Sequence, residues 1–175
     1  VKDLMHVEYL GNIKHHQSKM LWKFVRELKW IPDAAAWNAR VRSFEYWSKG
    51  TRRESYILSD DAFSGSLEDC SIGGLWTAHN EMIFMCYSVE LLHTFVPAGQ
   101  ENHPVWQCWC LHYKYLMLCL QREFSLDDIR ELDQTIYGMQ TLFLEIYGEK
   151  CWLPKFHFAQ HFPLDILRCV KAIRT

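Results

Sequence analysis

The most restrictive feature of this chain is an apolar seam. Ile129, Leu132, Ile136, Met139, Phe143 and Ile146 step 3-4-3-4-3 along the sequence. That rhythm puts all six on one stripe of a helix and spreads them over both faces of a strand. The seam has a start and a stop. Ser125 with Asp128 three residues on makes a capping-box-like opening, and Asp127 and Asp128 suit the positive helix end. Tyr147-Gly148 closes it. A helix of this kind cannot bury its stripe alone, so the fold must bring another helix against it.

The remaining chain supplies partners of the same kind. After Gly11, Ser18 can cap a helix in which Met20, Leu21, Phe24, Val25 and Leu28 recur at helical spacing up to Trp30. Pro32 opens a second helix, Asp33 to about Ser48, ended by Lys49-Gly50. Residues 50–75 are polar and glycine-punctuated, read as a crossing loop with short helical turns; Gly73-Gly74 lacks the lysine and the spacing of a P-loop. A third helix is expected from about Trp76 to Phe95, with methionines that fill core gaps. A fourth runs from Pro104 to about Arg122, carrying Trp106, Trp109, Cys110, Tyr113, Leu116, Met117 and Leu120 on its apolar side, with His112 in the core or at its boundary. No segment alternates with period two. The expectation is an all-α, irregular bundle of about six or seven helices in one domain, 1–175.

Near the C-terminus, Trp152 to Pro163 holds His157 and His161 at i and i+4, so both imidazoles leave one helical face, with Phe156, Phe158 and Phe162 drawing at least one ring inward. Pro154 opens this helix and Pro163 is expected to end it. An isolated pair of this kind reads first as two partly buried histidines bonded to carbonyls; it also has the spacing to hold one metal ion. Near the N-terminus, Asp3 and His6 stand at i and i+3. Together Asp3, His6, His157 and His161 make four candidate metal ligands, enough to close a structural zinc site.

Charge is unevenly spread. Residues 1–53 hold eleven Lys/Arg against five Asp/Glu, and the remainder eight against sixteen. Lys14, Lys19, Lys23, Arg26, Arg52 and Arg53 are therefore candidate DNA-backbone contacts; the same residues also read as the solvated side of an amphipathic helix. The seven cysteines are odd in number and form no CxxC, which fits a reducing, intracellular setting. No apolar run approaches a membrane span. No Ser/His/Asp or Cys/His catalytic set is recognisable from spacing. Val1 in place of Met, and an end at Arg174-Thr175 without a terminating signal, read as a piece cut from a longer protein.

Asp3-x-Met5-His6 followed by Glu8 and Leu10-Gly11, then Leu75-Trp76-x-Ala78, then Ile146-Tyr147-Gly148, then a Pro-Lys-x-His-x-x-x-His-x-Pro string from Pro154, resembles the transposases of the CACTA (En/Spm-like) group. The likeness spans essentially the whole chain as short anchors. It implies an RNase H-like transposase core whose three acidic metal ligands are interrupted by a large helical insertion, with residues 17–150 as that insertion. It implies that Asp3 and His6 match the D-x-x-H element. In the related recombinase that rearranges antigen-receptor genes, analogous elements bind a structural zinc, which makes Asp3, His6, His157 and His161 candidate ligands. Asp3 departs by offering oxygen in place of sulfur, a weaker claim on zinc. The resemblance also implies DNA (transposon ends) as partner, self-association, a nuclear location, and Mg²⁺ only in the intact parent protein. The first two catalytic aspartates would precede Val1 and the last acid would follow Thr175, so this stretch is expected to be inactive alone. The competing expectation is a non-catalytic helical protein-interaction module.

Overall fold

The helix Pro104–Cys119, in the middle of the chain, is the element against which the helices Ile13–Trp22, Ala78–His93 and Leu126–Tyr147 pack. The structure is a computed structural model and describes residues 8, 11–46, 56–72 and 77–173. Among these residues the chain is all-α: α1 (Ile13–Trp22), α2 (Ala34–Ser43), α3 (Ala78–His93), α4 (Pro104–Cys119), α5 (Leu126–Tyr147), α6 (Pro154–Ala159) and α7 (Phe162–Ile173), with no strand. None of these helices is long and apolar enough to cross a membrane.

The α1 helix departs from the expected start. Gly11 and Asn12 are already helical, wound in wider π turns, and Ser18 lies inside the helix instead of capping it. Its hydroxyl donates back to the Lys14 carbonyl (2.8 Å) and accepts from the Ile72 amide (3.2 Å), so a residue suited to a cap instead ties the helix to the 60s–70s segment. After Trp22 the backbone loosens into a π turn, Lys23–Glu27, and ends at Lys29 in the left-handed conformation, φ 57°. Ile31 then folds back, its amide donating to the Phe24 carbonyl at 3.2 Å.

Asp33, expected as the first residue of the second helix, caps it instead, its Oδ1 accepting from Ala36 N–H at 2.7 Å. The helix ends at Ser43, five residues before Ser48. Phe44 turns to an extended backbone because its ring is wanted in the core, edge-on to Tyr46 (4.9 Å) and Tyr87 (5.8 Å). The expected Lys49-Gly50 cap lies outside the described residues. A 3-10 turn at Asp60–Phe63 and a tight turn at Ser66–Cys70 make the described part of the crossing segment.

The apolar seam behaves as its spacing dictates. Ser125 and Asp128 form a full capping box, amide to side chain in both directions (3.1 and 2.7 Å). Ile129, Leu132, Ile136, Met139 and Phe143 are buried, and α4 is the principal partner. Gly148 terminates the helix at φ 78°, a conformation that a side chain would resist. The α4 helix itself is rotated from its expected face. Trp106, Cys108, Trp109, His112, Tyr115 and Leu116 are buried, whereas Leu120 is exposed. Apolar residues surround α4 on all sides, so periodicity could not choose between them; its neighbours did.

The expected single helix between Pro154 and Pro163 is two helices. Residues 160 and 161 break it, and Pro163 is the second residue of α7, where its missing N–H costs nothing. One continuous cluster of buried residues runs from Ile13 to Phe162.

Candidate functional site

The polar residues of the first helical stretch are held inside the protein. Glu8, Asn12 and His16 follow one another at i, i+4 and i+8, one line along a helix, and all three are buried. Asn12 Nδ2 donates to Glu8 Oε1 (2.8 Å) and also to the Lys155 carbonyl in α6 (3.2 Å). Glu8 Oε2 meets His112 Nε2 at 3.3 Å, and His112 Nδ1 meets His16 Nδ1 at 2.8 Å. The two imidazoles are stacked, with planes 17° apart.

One proton serves the contact between the two Nδ1 atoms, and the order of the chain follows from its ends. Burial, then the neighbouring His112 and His15, hold the His16 pKa well below the usual 6.5, so that ring is neutral. With Nε2–H of His112 directed at the Glu8 carboxylate, its Nδ1 accepts from His16 Nδ1–H. His16 Nε2 is then a bare acceptor, in keeping with its lack of any protein partner. Around it stand Trp109, Phe143 and Tyr147, each edge-on at 5.1–5.5 Å between ring centres. This carboxylate–histidine–histidine chain is closed to solvent, with the buried Tyr115 hydroxyl beside Glu8. Its chemistry is that of an internal anchor between the start of the chain and α4.

Nearby, Glu81 of α3 is fully buried and neither carboxyl oxygen has a protein partner. Burial raises its pKa to about 8, against an opposing pull from Lys14, so it is largely protonated at neutral pH. Gln17, also buried, has both amide atoms unpartnered.

The candidate ligands divide into a described half and an undescribed half. Asp3 and His6 lie outside the described residues, as do Arg52 and Arg53. His157 is exposed and His161 half-buried; their Nε2 atoms stand 3.4 Å apart and their ring centres 5.0 Å. Both rings thus leave the same side, although the helix that was to carry them ends between them. The rings of Phe156 and Phe162 go inward without them. Among the described residues no cluster of three or more His, Cys, Asp or Glu is arranged to hold a metal ion.

The basic residues also separate. Lys14 is half-buried and Arg26 exposed, whereas Lys23 is half-buried and paired with Glu27 at 2.8 Å. Lys19 is a correction. It is 1% exposed, and its ammonium donates to the carbonyls of Glu68 (2.8 Å) and Cys70 (3.1 Å), so it does not belong to the solvated side of the helix. The turn at Ser66–Cys70, which no pattern in the sequence links to α1, draws it in.

Sequence reasoning passed over His16 and Glu81, used Glu8 only as an anchor of the resemblance, took Lys19 for a candidate DNA contact, and placed His112 in the core or at its boundary. The four-residue spacing of Glu8, Asn12 and His16 was the available signal. Comparison of the chain with protein-family models, with curated proteins and with solved structures gives no match in any of the three.

Proposed function

We propose that this chain is the helical region of a DNA transposase of the CACTA-like group, a scaffold that supports metal-dependent strand cleavage and transfer by the parent protein and contributes contacts to the DNA backbone. The observation that carries this reading is the Asn12–Lys155 bond, which joins the stretch just after Asp3-x-x-His6 to the helix bearing His157, 143 residues away in sequence. His15 Nε2 against the Cys151 carbonyl (2.6 Å) makes a second tie between the same two regions. Residues 12–15 and 151–155 thus pack together, next to His157 on one side and six residues after His6 in sequence on the other.

A zinc ion shared by His157, His161, Asp3 and His6 belongs to this reading. The histidine pair fits it: nitrogens bound at roughly 2.0–2.1 Å to a tetrahedral ion stand about 3.3 Å apart, and these stand 3.4 Å apart. Bound there, the ion would act as a structural cross-link at the base of the helical region. Lys14 and Arg26 remain as candidate DNA contacts on the described surface.

Elemental analysis of the purified protein beside a His157→Ala/His161→Ala variant tests the metal. One equivalent of zinc in the parent and none in the variant is expected; the same trace in both removes the staple. Weak, sequence-independent binding to duplex DNA that falls steeply with salt tests the partner. Lack of binding at low salt would refute it.

A second reading rests on exposed apolar side chains on α5, Leu126, Tyr137 and Leu144, with Tyr137 72% exposed. They favour a protein-interaction module, self-association included. Sedimentation of the parent and of a Tyr137→Ser/Leu144→Ser variant separates the readings: a dimer dispersed by the substitutions supports the second.

A further inference from the structure

A cavity of about 370 Å³ lies where α1, the Ser66–Cys70 turn and α6 meet, and its lining includes Lys14, His15, Ser18, Lys19, Ser71 and Lys155. We propose that it is a binding site for a phosphate-class oxyanion. The central observation is Lys19. An ammonium has three donors, and two of them are taken by the carbonyls of Glu68 and Cys70. Neither Lys19 nor Lys14 forms an ion pair with a described carboxylate. A cation withdrawn from water without a counter-charge is costly, and neutral carbonyls repay only part of that cost. The cavity it lines is the place where an anion offsets the remainder.

The charge of Lys19 is felt by its neighbours. The field of Lys19 reaches His15, Cys70 and Cys151, in each case favouring the form with less positive or more negative charge. Two acidic residues, Glu68 and Asp69, also line the cavity and keep their negative charge. Asp69 accepts from the Ser66 hydroxyl at 2.8 Å, and Glu68 is held low by its own backbone N–H and by the Ser66 side chain. What Glu68 turns toward Lys19 is its carbonyl. Lys14 near the buried Lys19, with the Ser71 hydroxyl beside them, gives the pocket its donors, and its volume exceeds that of one tetrahedral oxyanion. A phosphate fits there with the waters or the sugar that accompany it.

The oxyanion site stands on this geometry. That its phosphate belongs to a DNA backbone rests on the transposase reading, and the test separates the two. The full chain is titrated with sodium phosphate against sodium chloride at equal ionic strength, following the His15 ring protons by NMR and the melting temperature. The same protein is titrated with a fluorescent 20-base-pair duplex. Both are repeated for Lys14→Gln, which leaves the buried framework in place, and for Lys19→Met. Saturable shifts at His15 and a raised melting temperature specific to phosphate are expected, weakened at least fivefold by Lys14→Gln. If duplex affinity falls in step, the ligand is a DNA phosphate. If only phosphate binding falls, the ligand is free phosphate and the DNA assignment of this cavity is lost while the site stands. Absence of any phosphate-specific effect in the parent overturns the proposal, as does binding that survives Lys14→Gln and, in folded protein, Lys19→Met.

Discussion

The α4–α5 interface and the interior face of α1 are both buried, and they are built on opposite principles. Between α4 and α5 the buried side chains are apolar, with Leu132, Ile136, Met139 and Phe143 on one helix and Trp106, Cys108 and Trp109 on the other, and the Lys114–Glu131 ion pair lies at the exposed edge. Such packing is non-directional and is specified mainly by volume and periodicity. Along α1 and the residues before it the buried polar groups are Glu8, Asn12, His16 and Lys19, each located by a particular partner at 2.8–3.3 Å. An apolar face tolerates a similar side chain, whereas a polar one fails when a single partner is lost, because the group left behind stays dehydrated. The two regions meet at His16, which touches Phe143 and Trp109 on one side and His112 on the other.

Three substitutions sharpen that contrast, the largest first. Phe143→Ala removes a ring packed on Phe156 and Tyr147 at 4.6 Å between centres. It should cost about 3–5 kcal/mol, the usual range for a large core aromatic, and show in urea unfolding as a lower midpoint with an unchanged slope. A loss below about 1 kcal/mol would mean that the seam is not the main source of stability.

In the polar region, His112→Leu strips Glu8 of its imidazole partner and should cost about 3 kcal/mol, as for a buried charged group left short of a partner. Glu8→Leu/His112→Leu should recover part of that loss, since no dehydrated carboxylate remains. The same unfolding measurement decides it, and simple additivity of the two substitutions would show that Glu8 and His112 are not coupled.

The third concerns pH. Glu81 has a pKa raised to about 8 in the fold, above its ordinary 4.5. The folded state therefore holds this proton more tightly than the unfolded chain. Its stabilising contribution is complete below pH 4.5 and declines as pH rises through about 8. Glu81→Gln should flatten that decline and leave the variant about 2 kcal/mol more stable than the parent at pH 8.5, a part of the shift at 1.36 kcal/mol per pKa unit. Melting temperatures from pH 5 to 9 read the difference; parallel curves for the two proteins would place the titrating group elsewhere.

What the chain's own pattern determined is the helical class and its punctuation. The 3-4 rhythm of residues 129–146, the Ser125–Asp128 box, the Asp33 cap, Pro104 at the head of α4 and the Gly148 stop all work within a few residues of themselves, through hydrogen bonds and apolar spacing that need no distant partner. Tertiary structure decided the rest. It turned α4 so that Cys108 and Tyr115 are buried and Leu120 is exposed, ended α2 at Ser43 to seat Phe44, kept α1 going through Ser18, and split the histidine helix before Pro163. Above all it chose which polar residues to bury. A lysine on a helix carries the same local propensity whether it faces water or a carbonyl turn 49 residues away, and only the arrival of the Glu68 and Cys70 carbonyls places Lys19 inside. Burial of a polar group depends on partners remote in sequence, and local periodicity contains no record of them.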